Sequence, residues 1–170
     1  MPSYDPSRAE CFVFTFKEGL LSKVAHDLRL AVTRFDIHVD GASVTARFDT
    51  ASLRVDTPMK DGVPNPSALS SADKEKIAAQ ICDEVLHARE FPEAVFRSTS
   101  VTPRADGGYD LSGELTLHGV TKALQAQTRA RDGRQELTLT LHQPDFSITP
   151  FRAMLGTLKI QPDVTVRVVV

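Results

Sequence analysis

The sequence predicts a mainly β protein, a single antiparallel barrel of about eight strands with one long helix, spanning residues 1–170 as one domain. Three observations carry that expectation. Apolar side chains alternate with polar ones through most of the chain, the period that puts one row on each face of a sheet. Turn signals separate the alternating runs at Asp40-Gly41, Asp106-Gly107-Gly108, His118-Gly119 and Asp132-Gly133. A helical period occurs once, between Asp73 and about Arg89.

Composition narrows the function classes. A chain of 170 residues suffices for one sizeable core and is short for two domains. The net charge is −2 with acids and bases intermixed, so no basic patch marks a nucleic-acid partner. No apolar run approaches the roughly 20 residues of a membrane-spanning helix. MPSYDPSRAE at the start lacks the basic and apolar pattern of a signal peptide. The expected compartment is therefore the cytoplasm, or the periplasm if a leader has been cleaved. Two distant cysteines, Cys11 and Cys82, read as small buried thiols, since no CxxC or HxxxH spacing marks a metal site.

The elements follow in order. Phe12, Phe14 and Phe16 alternate with Cys11, Val13 and Thr15 in a first strand expected to show an aromatic inner face. A second strand runs from about Val24 with Val24, His26, Leu28, Leu30 and Val32 on one face, then changes phase to Phe35, Ile37 and Val39. A continuous strand cannot exchange faces, so a bend or bulge is required near Thr33-Arg34. Val44, Ala46 and Phe48 change phase again to Leu53 and Val55, which suits long strands curving round a barrel. The prolines and glycine from Thr57 to Ala68 read as a loop.

Ile77, Ala78, Ile81, Cys82, Val85 and Leu86 form one face of the helix. Ser70 with Asp73 is a variant capping box, and Pro92 is the expected stop. Capping one mouth of the barrel would cover the apolar face of this helix. Ala94–Thr102 is a strand, and Tyr109, Leu111, Leu115 and Leu117 lead into the His118-Gly119 turn. Val120, Leu124, Ala126, Thr128 and Ala130 return from it. Leu137, Leu139 and Leu141 follow, Phe146 and Ile148 continue past Pro144, and 150–156 is irregular. Val164, Val166, Val168 and Val170 close the chain.

The run LTLHGVTK, Leu115–Lys122, resembles the YceI family, lipocalin-like barrels that bind polyisoprenoid lipids. EFPEAVFRS (Glu90–Ser98), PDFSITP (Pro144–Pro150) and the ending LKIQPDVTVRVVV fit the same pattern. The chain departs from it at KVAHDLRL, Lys23–Leu30, in its longer helix and in showing no signal peptide. The resemblance implies a divergent member with a lipocalin-like barrel and an apolar small-molecule ligand.

The inward rows expected to bind that ligand are Phe12, Phe14 and Phe16; Leu28, Leu30 and Val32; Leu111, Leu115 and Leu117; and Leu137, Leu139 and Leu141. None offers a hydrogen bond, which suits a hydrocarbon chain at about 0.8 kcal/mol per buried CH₂ before ordering costs. His26, Arg29 and Lys122 are the candidates to meet a head group. His26 and Asp27 are strand neighbours with side chains on opposite faces, so they make no catalytic dyad. No GxSxG, phosphate-cradling loop or cysteine–histidine signature points to catalysis.

The expected function is non-catalytic binding or carriage of an isoprenoid lipid or isoprenoid quinone, with no required cofactor. An enzyme acting on an apolar substrate, such as an isomerase or hydrolase, is one alternative. A filled barrel serving as a stress-associated interaction domain is another. A homodimer is compatible with an edge-exposed barrel.

Overall fold

A computed structural model describes residues 2–18, 26–153 and 158–170. Val24 and Gly156 lie outside them. The chain runs β1 (Ser3–Tyr4), β2 (Glu10–Thr15), β3 (Asp27–Val32), β4 (Phe35–Asp40), β5 (Ser43–Asp49), β6 (Leu53–Lys60) and β7 (Val63–Pro64). The helix α1 (Ser71–Gln80) is followed by β8 (Glu93–Pro103), β9 (Tyr109–Leu117), β10 (Val120–Arg131) and β11 (Arg134–His142). Two short strands, β12 (Arg152–Ala153) and β13 (Leu158–Lys159), form a separate ribbon before β14 (Asp163–Val169).

All other strands belong to one curled antiparallel sheet in the order β1-β4-β5-β8-β9-β10-β11-β14-β2-β3-β6-β7. β3 and β4 are halves of one bent strand, and β5 and β6 are halves of its hairpin partner. The β3 half pairs with β2 and the β5 half with β8, so both arms of the sheet meet in the same two stretches of chain. Counted along the polypeptide, the wall consists of eight strands: β2, β3–β4, β5–β6, β8, β9, β10, β11 and β14.

The phase changes seen in the sequence are the bends. At Thr33-Arg34 the first strand turns, and a 3₁₀ turn at Thr50–Ser52 turns its partner. Ser52, 1% exposed, joins them. Its carbonyl accepts the Thr33 N–H at 3.2 Å and the Thr33 hydroxyl at 2.7 Å. Its Oγ accepts the Arg34 N–H at 3.0 Å and donates to the Asp49 carbonyl at 2.8 Å. Leu28 and Leu30 thereby pack in one buried cluster with Leu53 and Val55, Phe35 and Ile37 in a second with Cys11 and Ala46, and Val32 at the bend touches both.

Ser70 caps α1 as its sequence predicts: its Oγ accepts the Asp73 N–H at 3.1 Å and donates to the Asp73 carboxylate at 2.8 Å. The helix continues through a wider turn at Ile81–Val85 and ends at Leu86, where His87 takes φ 47°. It thus stops ahead of Pro92, because the left-handed His87 breaks the helical path first. Three other segments differ from the sequence reading. Thr57–Lys60 stays in β6, paired with β3, and only Asp61-Gly62 turns before β7. Phe146 and Ile148 are buried, but a 3₁₀ turn at Gln143–Phe146 and Ser147 at φ 56° replace the expected strand. Within 150–156, expected to be irregular, Arg152–Ala153 forms one strand of the β12–β13 ribbon.

Gly113 shows why β9 needs a glycine. A Cβ there would stand 2.3 Å from the Arg97 carbonyl oxygen and 2.7 Å from the Phe96 ring. The Ser52 network sets the bend, so replacing Ser52 by alanine leaves the Arg34 N–H without its acceptor. We expect S52A to lose about 1–3 kcal/mol of stability in chemical denaturation. A cost below a few tenths of a kcal/mol would show that the bend does not depend on this hydroxyl.

Candidate functional site

The curled sheet encloses a cavity of about 990 Å³. Every wall strand contributes to its lining. β2 supplies Cys11, Val13 and Thr15; β3 supplies Leu28, Leu30 and Val32; β4 supplies Ile37 and Val39. Val44, Ala46 and Phe48 come from β5, Ala94, Phe96 and Val101 from β8, and Leu111, Leu115 and Leu117 from β9. Leu124 and Ala126 of β10, Leu137, Leu139 and Leu141 of β11, and Val164, Val166 and Val168 of β14 complete it. The alternation dictates this: each strand gives every second side chain to the lumen, and nearly all of these are aliphatic.

One mouth is covered by the helix, which contributes Asp73, Lys76, Ile77, Gln80, Ile81, Val85 and Leu86. Asp73 and Lys76 are exposed there, and His26 lies in the same lining. Tyr109, Thr128 and Gln135, also in the lining, belong to a satisfied polar network. The Thr128 hydroxyl accepts the Tyr109 N–H at 2.9 Å and donates to Gln135 Oε1 at 2.7 Å. Gln135 Nε2 in turn donates to the Gly107 carbonyl at 3.1 Å. These groups hold one another and leave little for a ligand.

Ten of the residues singled out from the sequence line this cavity: His26, Leu28, Leu30, Val32, Leu111, Leu115, Leu117, Leu137, Leu139 and Leu141. Phe12, Phe14 and Phe16 do not, and their expected inward placement is corrected. In β2 the aliphatic row points inward, with Val13 opposite Val166 and Leu30, while Phe12 is opposite Arg167 and Ala31 on the outer face. The Arg29 guanidinium lies 5.1 Å from the Phe12 ring centroid, a cation–π contact that holds the ring against the outer wall. Both rows of β2 are apolar, so its own alternation could not choose between them. The partner strands do.

Lys122 is also absent from the lining. It lies opposite Leu115 on the inward phase of β10 yet is exposed, at a level where β10 pairs with β9 alone. Arg29 faces outward and pairs with Asp56 at 2.6 Å. His26 and Asp27 separate as alternation requires. His26 lines the lumen, while the Asp27 carboxylate accepts the Lys17 N–H at 2.8 Å.

The turn after β9 has His118 at φ 53° and Gly119 at φ 74°, the left-handed pair of a tight hairpin. His118 reaches farther than its own turn. Its Nδ1 is 3.2 Å from the Phe146 carbonyl, and its ring lies tilted by 51° against Phe91 at 4.4 Å and 5.4 Å from that of His87. The lining also holds residues not singled out from the sequence: the rows of β4, β5, β8, β10 and β14, which strand alternation signalled, the helix side chains, which the helical period signalled, and the inward row of β2, which nothing within that strand signalled.

Both cysteines are free and buried. Burial pushes the Cys11 thiol up from 9.0 to about 12. Among the described residues no three histidine, cysteine or carboxylate side chains converge to hold a metal, and no helix is long and apolar enough to cross a membrane.

A YceI-like domain model matches residues 4–170. The UPF0312 protein VPA0850 of Vibrio parahaemolyticus is 36% identical over 62 residues, which are 36% of this chain and 33% of that protein; the match spans about a third of the relative's length. Burkholderia cenocepacia BcnA superposes with a TM-score of 0.67 at 17% identity, covering 97% of this chain and 96% of that one. A polyisoprenoid binding domain from Saccharophagus degradans, implicated in plant cell wall breakdown, superposes with a TM-score of 0.65 at 14% identity, covering 98% and 94%. At these identities the two structures share the fold with this chain.

The raised Cys11 value carries a sign. The folded state holds this proton more tightly than the unfolded chain does, so the associated stability is present below about pH 9 and declines as pH rises toward about 12. Between those limits the stability of the wild type is expected to fall more steeply than that of C11V, measured by urea midpoints at several pH values. Parallel profiles would show that the thiol is not protected.

Proposed function

The chain belongs to the YceI-like domain family, and we propose that it binds and carries a long apolar molecule, an isoprenoid lipid or isoprenoid quinone, in the barrel interior without catalysing its conversion. The observation that carries this reading is the cavity of about 990 Å³ whose walls are aliphatic on every strand. That volume is at the upper end of the roughly 300–1,000 Å³ typical of small-molecule sites. A slim, flexible hydrocarbon fits a lining that supplies dispersion and dehydration but almost no hydrogen bonds. About ten buried CH₂ groups contribute roughly 8 kcal/mol before ordering costs are subtracted. The polyisoprenoid-binding function stated for the Saccharophagus degradans domain supports the ligand class.

The non-catalytic part of the proposal rests on the arrangement of polar groups. His26 and Asp27 diverge, and the polar groups at the Thr128 end are engaged with one another. A barrel filled by its own side chains is the less favoured reading because the opposed leucine and valine rows leave the lumen open. Cytoplasmic residence and a ligand without further cofactors belong to the same proposal.

Native mass spectrometry and solvent extraction of the purified protein should yield a copurifying isoprenoid. Stripped protein should bind a long-chain quinone and melt at higher temperature with it, as any ligand that binds only the folded state requires. V166W, which places an indole in the lumen, should weaken that binding at least tenfold while keeping the wild-type circular dichroism. No extractable lipid together with a flat quinone titration would end the carrier reading.

A further inference from the structure

Carriage of an apolar ligand leaves the His118 side chain without a role, since it does not line the cavity. Its Nδ1 lies 3.2 Å from the Phe146 carbonyl oxygen. A carbonyl only accepts, so Nδ1 carries the proton, and in the neutral ring Nε2 is a free lone pair. That atom is buried and has no hydrogen-bond partner. A buried polar atom left in this way calls for an explanation.

The surroundings hold the ring in place. Gly119, at φ 74°, lets the hairpin tip press onto Phe91: a Cβ there would stand 2.8 Å from Phe91 Cε1. On another side of His118 is a second imidazole, that of His87, with centroids 5.4 Å apart and planes tilted by 40°. His87 belongs to the turn that ends the helix, where its carbonyl accepts the Glu90 and Phe91 N–H groups at 2.9 Å. Both histidines are left-handed, at φ 47° and 53°. That conformation is uncommon outside glycine, and backbone held there clusters at ligand clamps and other functional sites. His87 is exposed and His118 half-buried, so the pair opens to solvent on the His87 side. Arg89 and Glu90 on the same turn are exposed. Among the described residues the only histidine ion pair joins His142 to Asp163, so both rings of this pair are free of carboxylates.

Two imidazoles so related have the chemistry of a site for a borderline transition metal. With metal–nitrogen bonds of about 2.0–2.1 Å and a tetrahedral angle, two ligating rings have centroids about 5 Å apart. An Nδ1–H given to a backbone carbonyl is the contact that orients a ligating histidine and leaves Nε2 for the metal. Among the described residues no third histidine, cysteine or carboxylate converges there.

We propose that His118, through Nε2, and His87 bind a divalent cation of the zinc, nickel or copper class, with water as the remaining ligands. The cation enters from the exposed His87 side. It ties the β9–β10 hairpin to the turn that ends the helix and, through the Nδ1 contact, to the Phe146 turn. Neither histidine lines the cavity, so the cation takes no part in holding the apolar ligand, and this site stands or falls independently of the carrier reading.

The test is calorimetry of tag-free, EDTA-stripped full chain with zinc, nickel and copper chlorides in turn. The wild type should bind one equivalent, and zinc should raise its melting temperature. H87N and H118N keep a residue that tolerates the left-handed backbone. Each should weaken binding at least tenfold, and metal-free H87N, altered only on the exposed turn, should melt as the wild type does. Nitrogen NMR should show His118 Nε2 shifting with zinc while Nδ1 stays protonated. H142N, which removes the exposed histidine paired with Asp163, should bind as the wild type does.

No binding of any of the three ions overturns the site. So does an equivalent that survives in either H87N or H118N, because the two rings act together or not at all. Binding lost in H142N alone places the cation on the His142–Asp163 pair and overturns the proposal equally.

Discussion

The hydroxyl and carbonyl of one buried serine govern the shape of the wall. Ser52 takes the Thr33 and Arg34 amides from one strand and returns a hydrogen bond to Asp49 on its own. Two strands that would otherwise exchange their inner and outer faces are bent together, so both halves of each keep apolar side chains inside. The same corner reaches the helix: the Thr50 hydroxyl donates to the Phe91 carbonyl at 2.7 Å, and Cys82 Sγ lies 3.5 Å from the Thr50 carbonyl. Closure of the sheet and placement of the helix over its mouth thus share one hydrogen-bonded joint.

The consequence is a lumen that its own side chains do not fill. Protein interiors normally pack to crystal-like density, and a void loses the dispersion contacts its lining would make. Here the rows from β3, β9, β11 and β14 face one another across an open centre, and most of these side chains are only half-buried. Stability is carried instead by the smaller clusters around the rim. Leu28, Leu30, Leu53 and Val55 pack with the helix residues Ala78 and Cys82, and Phe146 and Ile148 pack with Val85 and Leu115. Leu28, Leu30, Leu53, Val85, Leu115, Phe146 and Ile148 belong both to these clusters and to the cavity lining, so the packed core and the lumen wall share side chains.

Much of this was legible in the residues. The bend near Thr33-Arg34 follows from the phase change between Val32 and Phe35, and the helix over the mouth from its Ile77, Ile81 and Val85 face. The leucine rows of β3, β9 and β11 line the cavity because each is the only apolar row of its strand. Where both rows are apolar, as in β2, alternation has no sign, and Phe12, Phe14 and Phe16 lie outside. Thr57–Lys60 looks like loop because of its proline, yet Pro58 pairs opposite Leu28, with the ladder adjusted by a bulge at Arg29/Leu30. Phe146 and Ile148 have strand spacing, but the left-handed Ser147 between them breaks the extended path.

The amino-acid order by itself determined the class of fold, the places where strands bend or turn, and the apolar character of most inner rows, because these depend on neighbours along the chain. Only the tertiary structure decided which face of β2 is inner, how wide the lumen stays and where β10 parts from β11. Those outcomes depend on register between strands far apart in sequence. A shift of one residue exchanges inside for outside, and no local pattern records which partner a strand will meet.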